Sequence, residues 1–334
     1  MEMYKPLLRL VCTYPMKNSE IICSINQNSI KNKLWREAIK LPIYSVAIMP
    51  SLIAASWSIY INQSLRLYQF LGFILASSFL LLWENLCNDL FDSETGVDKK
   101  NKPHSIVALI GNKQIISTIA NISLIAGLFI SILIAINSNF IVIILVILCC
   151  LLGYLYQGPP FRLGYRALGE PLCWITFGPL ATTAALLSIS NFQYTNLNLL
   201  FIDGLILGAG PALATTLVLF CSHFHQIDED KLNGKISPLV ILGTSRSSKL
   251  IYWMIVFIFL FEITPIIYYN WPFTSLMSII SLPSCLNLLK FVKSNHNKPN
   301  KIKGAKFLAL KFQLINGLSL SVGLLLGNIF TNYS

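Results

Sequence analysis

Tyr68-Gln-Phe-Leu-Gly-Phe-Ile-Leu-Ala-Ser-Ser-Phe-Leu-Leu-Leu-Trp-Glu84-Asn85-Leu-Cys-Asn88-Asp89-Leu-Phe-Asp92-Ser-Glu94-Thr-Gly-Val-Asp98 is an apolar run that closes on carboxylates. Residues 68–90 have the length and composition of a membrane-crossing helix, because about 20 apolar residues span the hydrocarbon core of a bilayer. Clustered carboxylates at a bilayer surface cost free energy unless something cationic binds them, so the end of this span reads as a functional site. The natural occupant is a hard divalent ion that bridges to phosphate oxygens. Much later His223-Phe-His-Gln226-Ile-Asp228-Glu-Asp230 closes another apolar run in the same manner.

The remainder of the chain has the same hydrophobic character. With 54% hydrophobic residues, 12% charged residues and a mean hydropathy of +0.64, the 334 residues hold more apolar material than a soluble core can use. Spans are expected near 41–61, 68–90, 115–136, 139–157, 168–190, 199–223, 250–269, 272–290 and 307–330. The fold class that follows is all-α, a polytopic membrane bundle of nine transmembrane helices. Residues 41–332 form one integral membrane domain, since no connecting segment is long enough for a separate soluble domain. Residues 1–40 are polar and basic for longer than a secretory signal allows and read as an extension on the cytoplasmic or stromal side. Its last part, Leu34-Trp35-Arg36-Glu37-Ala38-Ile39-Lys40, has the mixed aromatic and charged character of an interfacial helix.

The net charge of +11 raises the question of a nucleic-acid partner, and the placement of the charges answers it. Nine spans put the tail and loops 91–114, 158–167, 224–249 and 291–306 on one side, and with Lys290 these carry 23 of the 25 Lys and Arg residues. That asymmetry is the positive-inside pattern, so the basic loops face the cytoplasm or stroma. Charges spread over five segments are a topology signal and no nucleic-acid footprint. The eight cysteines show no CxxC spacing, and Cys149, Cys150, Cys173 and Cys285 lie within spans, where they serve as small apolar residues.

If the second span continues as a helix through Asp92, then Glu84, Asn85, Asn88, Asp89 and Asp92 fall within an arc of roughly 140° at 100° per residue. Leu86 and Leu90 lie opposite. Ser93-Glu94-Thr95-Gly96 is expected to break the helix and return Asp98 toward the same mouth. On the sixth span the same geometry groups Thr216, His223, Gln226 and Asp230 on one stripe, with Asp228 on a neighbouring face or in the loop. Both spans run in the same direction, so the two acidic ends converge on one membrane face. Magnesium keeps octahedral oxygen coordination and takes one or two carboxylates plus substrate phosphates, so carboxylates at two helix ends suit ions that hold a diphosphate between them. Asp89, Asp92, Asp98, Asp228 and Asp230 are the candidate magnesium ligands.

A diphosphate also attracts cations, and Lys99, Lys100, Lys102, Arg162, Arg166 and Lys235 lie in loops on the same side. Lys102 and Lys235 follow the acidic clusters closely, and Arg162 ends the loop Tyr156-Gln-Gly-Pro-Pro-Phe-Arg162, so these three are the candidate diphosphate ligands. Tyr154, Tyr156 and Phe161 line the mouth or form part of an interfacial aromatic belt. His223 and His225 point apart on a helix with no third soft ligand nearby, which argues against zinc and leaves His223 to hydrogen-bond within the second cluster.

Asn88-Asp89-x-x-Asp92 followed by Asp98, then Tyr156-x-x-Pro159-Pro160, then an acid-rich end before Gly234-Lys235, resembles the UbiA superfamily of intramembrane prenyltransferases. Within it, residues 88–98, 102–105 and 223–238 resemble the branch that prenylates 1,4-dihydroxy-2-naphthoate in oxygenic phototrophs. The resemblance implies a helical bundle around a central cavity, with magnesium as cofactor and the lipid bilayer as surroundings. It also implies transfer of a phytyl or geranylgeranyl group from its diphosphate to the naphthoate, with loss of the carboxylate as carbon dioxide, in phylloquinone or menaquinone synthesis. By position, Asn88, Asp89, Asp92 and Asp98 match the first motif and Asp230 matches the last acid of the second, which makes Asp89, Asp92 and Asp230 the expected catalytic residues. Asn85, Asn88, Lys102, Tyr156, Arg162, His223, Gln226 and Lys235 are the expected diphosphate and mouth residues. Gln226 stands where many members have an acid, and Lys40-Leu-Pro42 where many have Arg-Pro. The phototroph resemblance and an Asn, Lys and Ile bias point to a plastid membrane, with a bacterial plasma membrane as the alternative.

Other readings start from the same residues. Sibling prenyltransferases that act on homogentisate, 4-hydroxybenzoate or chlorophyllide share the metal motifs. A cation-coupled transporter would use Glu84, Glu262 and Lys311 as a relay, but the acids cluster at one face and the spans show no inverted repeat.

Overall fold

The computed structural model describes residues 34–35, 41–62, 64–95, 105–190 and 196–331. Asp98, Lys99, Lys100, Lys102 and most of residues 1–40 lie outside the described residues; of the expected interfacial helix, Leu34 and Trp35 are described and are helical. The described chain is almost entirely helical, and its only β pairing is an isolated bridge between Arg166 and Ile236. In chain order the helices are α1 (Tyr44–Asn62), α2 (Leu67–Thr95), α3 (Ile106–Ile110), α4 (Lys113–Ile136), α5 (Ile141–Gln157), α6 (Gly169–Ile175), α7 (Ala181–Ile189), α8 (Leu197–His223), α9 (Ile227–Leu232), α10 (Pro238–Tyr268), α11 (Leu282–Asn295), α12 (Pro299–Ile302) and α13 (Ala305–Thr331).

Among the described residues, eight helical segments are long and apolar enough to cross a membrane, and α5 is a shorter apolar helix of 17 residues where the sequence predicts the fourth span. Several boundaries differ from the hydropathy reading. The seventh span starts earlier than expected: a short helical turn from Pro238 meets a kink at Gly243, φ 73, and beyond it the polar stretch Thr244 to Lys249 is helical despite its low hydropathy. The eighth opens as a 3-10 helix, Phe273–Ser281, before α11.

α4 shows how such a chain packs in lipid. Its buried face carries Ala120, Ser123, Gly127 and Ser131, while Ile122, Ile125, Phe129 and Ile136 are exposed. Lipid gives no hydrophobic incentive to hide large side chains, so small residues take the helix contact and the bulky ones face outward. A close crossing follows the same logic. Gly178 lies in the π-helical turn Thr176–Leu180 between α6 and α7, and a Cβ there would come 2.7 Å from the carbonyl oxygen of Gly208 on α8. Only glycine permits that approach, and the turn swings Thr176 and Phe177 toward the interior.

Two apolar clusters flank α8. One joins Met49, Ile53 and Trp57 of α1 to Phe73 of α2 and Leu186 and Leu187 of α7; the other joins Leu217 and Phe220 of α8 to Ile251, Leu288 and Phe312. Between α1, α2, α5, α6 and α8 the bundle stays open, and this is where the site lies.

Candidate active site

α2 does not stop at the membrane-spanning run. It continues as a helix to Thr95, through the first three residues of the expected break, whose Gly96 lies outside the described residues, and carries Asn85, Asn88, Asp89 and Asp92 on continuous helical geometry. Asp89 and Asp92 are both buried. The Asp89 Oδ2 atom accepts the Ile106 backbone N–H at 3.0 Å, which caps α3 from another helix, since Ser105 makes no side-chain cap there. Asp92 Oδ1 accepts the Tyr165 hydroxyl at 2.9 Å, and Thr95 Oγ1 lies 2.8 Å from the same hydroxyl. Burial, with the charge of Asp92 beside it, pushes the Tyr165 phenol well above its ordinary range, so it remains a proton donor.

The second acidic end is built differently. α8 ends at His223, residues 224–226 form a turn, and α9 starts at Ile227. The expected stripe through Thr216, His223, Gln226 and Asp230 is therefore interrupted, and Gln226 sits at the α9 N-cap. Asp228 is exposed, whereas Asp230 is fully buried. The His223 Nδ1 atom lies 3.5 Å from Asp230 Oδ2, and its Nε2 lies 3.5 Å from Glu170 Oε1. Lys235 Nζ lies 3.8 Å from Asp230 Oδ1. Gly234, at φ 71, makes this return possible: it turns the chain in the left-handed region so that the Lys235 N–H reaches the Asp230 carbonyl at 2.8 Å. Burial alone would raise the Asp230 carboxyl, but the neighbouring His223, Lys235 and Ser237 outweigh it and hold the group below its ordinary value.

Tyr165 ties the two ends together. Its hydroxyl serves Asp92, its ring lies 5.4 Å from Lys235 Nζ, and its carbonyl accepts the Ile236 N–H at 2.9 Å. Neither Tyr165 nor Glu170 stands out in the sequence, because each sits in a loop or helix start whose partners are some 50 to 75 residues away. Tyr156 packs over Gly164 and Gly169 and lines the cavity. Arg162 pairs with Glu94 at 3.5 Å on the partly exposed rim.

Under this rim lies a cavity of about 200 Å³, lined by Asn85 and Asn88 on α2, Tyr156 on α5, Leu219 and Ser222 on α8 and Lys306 on α13. A second, more apolar cavity of about 80 Å³ borders it and shares Leu81, Glu84, Gly153, Thr176 and Phe177 with it. Lys306, at the mouth, is a cation the sequence reading leaves among the loop charges.

Oxygen donors dominate the mouth, which suits a hard divalent cation. Both carboxylate oxygens of Glu170 and of Asp230 are buried without a hydrogen bond, so this end has donor capacity that the described residues do not use. Among the described residues no three His, Cys, Asp or Glu side chains form a metal cage of their own. Magnesium needs no such cage, because it completes its shell with water and substrate phosphate. The six described cysteines are free thiols, and none takes part in a metal group.

Residues 47–315 match the UbiA prenyltransferase family. The chain is 37% identical over 292 residues to the 2-carboxy-1,4-naphthoquinone phytyltransferase of Synechocystis, covering 87% of this chain and 92% of that protein. It is 38% identical over 304 residues to the chloroplastic 2-carboxy-1,4-naphthoquinone phytyltransferase of Arabidopsis thaliana, covering 88% and 77%. In fold it is similar to a solved digeranylgeranylglyceryl phosphate synthase, with a TM-score of 0.60 at 19% identity over 88% of this chain and 99% of the other. It is also similar to a UbiA homolog from Archaeoglobus fulgidus bound to DMAPP and Mg2+, with a TM-score of 0.50 at 13% identity over 86% and 99%.

Proposed function

This chain belongs to the UbiA prenyltransferase family, and from that premise we propose that it transfers a phytyl group from phytyl diphosphate to 1,4-dihydroxy-2-naphthoate in phylloquinone or menaquinone synthesis. The observation that carries the reading is the meeting of two acidic helix ends, through Tyr165, above a cavity that turns apolar with depth. The names of the relatives support the acceptor and the phytyl donor. The multi-pass membrane protein works in a plastid membrane, with the mouth on the stromal face, and residues 41–332 carry the activity.

In the reaction the C1–O bond of the prenyl diphosphate breaks and its electron pair leaves with the diphosphate. The electron-rich ring attacks the allylic carbon, and the ring carboxylate departs as carbon dioxide, returning its bonding electrons to the ring. Asp89, Asp92 and Asp230 would hold magnesium, with Asn85 and Asn88 beside them and Asp228 at the outer edge; Asp98, outside the described residues, is a further proposed ligand. Magnesium, when bound, offsets the negative charge that builds on the departing diphosphate. Lys235 adds positive charge at the same place, Lys102, outside the described residues, is a further proposed diphosphate ligand, and His223 and Gln226 orient the second end. Tyr156 closes the mouth over the headgroup, with Arg162 at its rim. The apolar cavity below takes the prenyl tail and excludes water, which would otherwise capture the allylic cation. Phe73, Trp83 and Phe177 line it and present aromatic faces that favour a passing cation.

The test is purified protein in detergent with 1,4-dihydroxy-2-naphthoate, magnesium and a panel of prenyl diphosphates and aromatic acceptors. Prenylated, decarboxylated product is expected with phytyl diphosphate, and a chelator is expected to abolish it. Faster transfer to homogentisate, 4-hydroxybenzoate or chlorophyllide would overturn the acceptor, and undiminished transfer under chelation would overturn the metal.

A further inference from the structure

The spans hold three acids away from the mouth, and they differ in what they face. Asp203 accepts the Trp57 indole N–H at 3.0 Å. Glu262 is buried and accepts Asn316 Nδ2 at 3.2 Å, with Gly210 leaving room for it on α8. Both are held by protein. Glu84 has no such partner: among the described residues it makes no hydrogen bond and no ion pair. Its side chain lies beside Gly153 of α5, where a Cβ would come 3.8 Å from Glu84 Cδ, and it lines both cavities.

An ionisable side chain placed in a membrane span without a protein partner is costly, and the cost is offset only if a ligand or solvent meets it. Glu84 stands one helical turn below Asn88, where the polar mouth gives way to the apolar cavity. A prenyl diphosphate with its headgroup at the mouth and its tail in the apolar cavity has its reactive carbon at that boundary. The acceptor ring must reach the same level. A carboxyl group there cannot favour the diphosphate, since like charges repel, but it can accept a hydrogen bond from a neutral hydroxyl.

Resting on the prenyl-transfer reading above, we propose that Glu84 is a binding and positioning residue for the acceptor, accepting a hydrogen bond from a ring hydroxyl and holding the ring against the allylic carbon. The bond does two things: it fixes the ring's orientation, and it draws the hydroxyl proton outward so that the ring carbons become more electron-rich. It also selects hydroxylated aromatic acceptors over their methyl ethers.

The experiment compares wild type, Glu84→Gln and Glu84→Leu, varying acceptor and prenyl diphosphate in turn. Glu84→Leu is expected to raise the acceptor KM at least ~10-fold, the usual scale for a hydrogen bond to a charged group, and Glu84→Gln to raise it less because the amide keeps an acceptor oxygen. The prenyl diphosphate KM stays within about twofold, because the headgroup does not meet Glu84. With the acceptor methylated at the bonded oxygen, wild type and Glu84→Leu become equal, a result that a merely structural role would not give. An unchanged acceptor KM in Glu84→Leu, an equal rise in both KM values, or a methyl ether that still distinguishes the variants overturns the proposal. Acceptor-induced thermal stabilisation of the same three proteins without prenyl diphosphate reads the contact independently of turnover. If wild type prenylates a different hydroxylated ring instead of the naphthoate, the functional reading fails, and Glu84 is judged on that ring.

Discussion

The acidic ends of α2 and α8 carry similar residues and are built in opposite ways. On α2 the helix runs unbroken through Asp92, and each buried carboxylate accepts a neutral donor, the Ile106 N–H or the Tyr165 hydroxyl. On the α8 side the helix stops at His223, a turn and a short helix follow, and Asp230 sits in an alternating row of Glu170, His223, Asp230 and Lys235. The first end is a rail set by the unbroken helix. The second is a loop held in shape by the pairing of Asp230 with His223 and Lys235. Acidic residues at a membrane face therefore divide into those that the backbone positions and those that their counter-charges position.

That contrast sets how the two ends respond to damage. The largest loss of activity is expected at Asp92→Ala, about 10²–10³-fold or more in turnover, the scale of removing one group that stabilises developing charge. Its thermal midpoint is expected to fall less than that of Asp230→Ala, because the unbroken helix α2 sets the backbone at this position. Unchanged turnover would remove the first end from the catalytic site. Asp230→Ala is expected to lose activity and also stability, by ~3–5 kcal/mol, because it leaves Lys235 buried without its counter-charge. Circular-dichroism melting in detergent separates the two variants, and equal midpoints would erase the distinction drawn between the ends.

Acid sharpens the same comparison. The Asp230 carboxyl is held low in the folded protein, so its stabilising contribution is fully present above the unfolded carboxyl pKa near 3.9 and is lost as pH falls through the folded value. Wild type should therefore lose more of its melting temperature below about pH 4 than Asp230→Asn does. Parallel curves would mean that Asp230 gains nothing from its neighbours.

Tyr165→Phe should come next in size. It removes the hydroxyl that serves Asp92 yet leaves the ring under Lys235, so a cost of ~1 kcal/mol and a modest fall in turnover are expected. A fall as large as that of Asp92→Ala would make Tyr165 more than a tie between the ends. Smallest of all, Arg162→Gln breaks only the rim pair with Glu94, worth under ~1 kcal/mol, and its midpoint should not move measurably.

Much of this molecule is legible in its sequence, and the limits have physical causes. The apolar runs place the spans because membrane crossing is a matter of length and hydropathy. The α2 site face is readable because 100° per residue governs an unbroken helix, which is why Asn88, Asp89 and Asp92 group as expected. The same arithmetic fails past His223, where the backbone turns and the stripe is lost. Glu170 and Tyr165 are invisible for a related reason: their roles come from neighbours distant in sequence, and no local pattern records such a contact. Nor does periodicity reveal that Asp89 caps α3, or that Glu84 lies where two cavities join.

The central claim is that both acidic ends grip one diphosphate. Magnesium-dependent binding of a prenyl diphosphate, measured by calorimetry on wild type, Asp92→Asn and Asp230→Asn in lipid nanodiscs, tests it most directly. Loss of the magnesium-dependent component in each variant is the predicted result, and full magnesium-dependent binding in either one contradicts it.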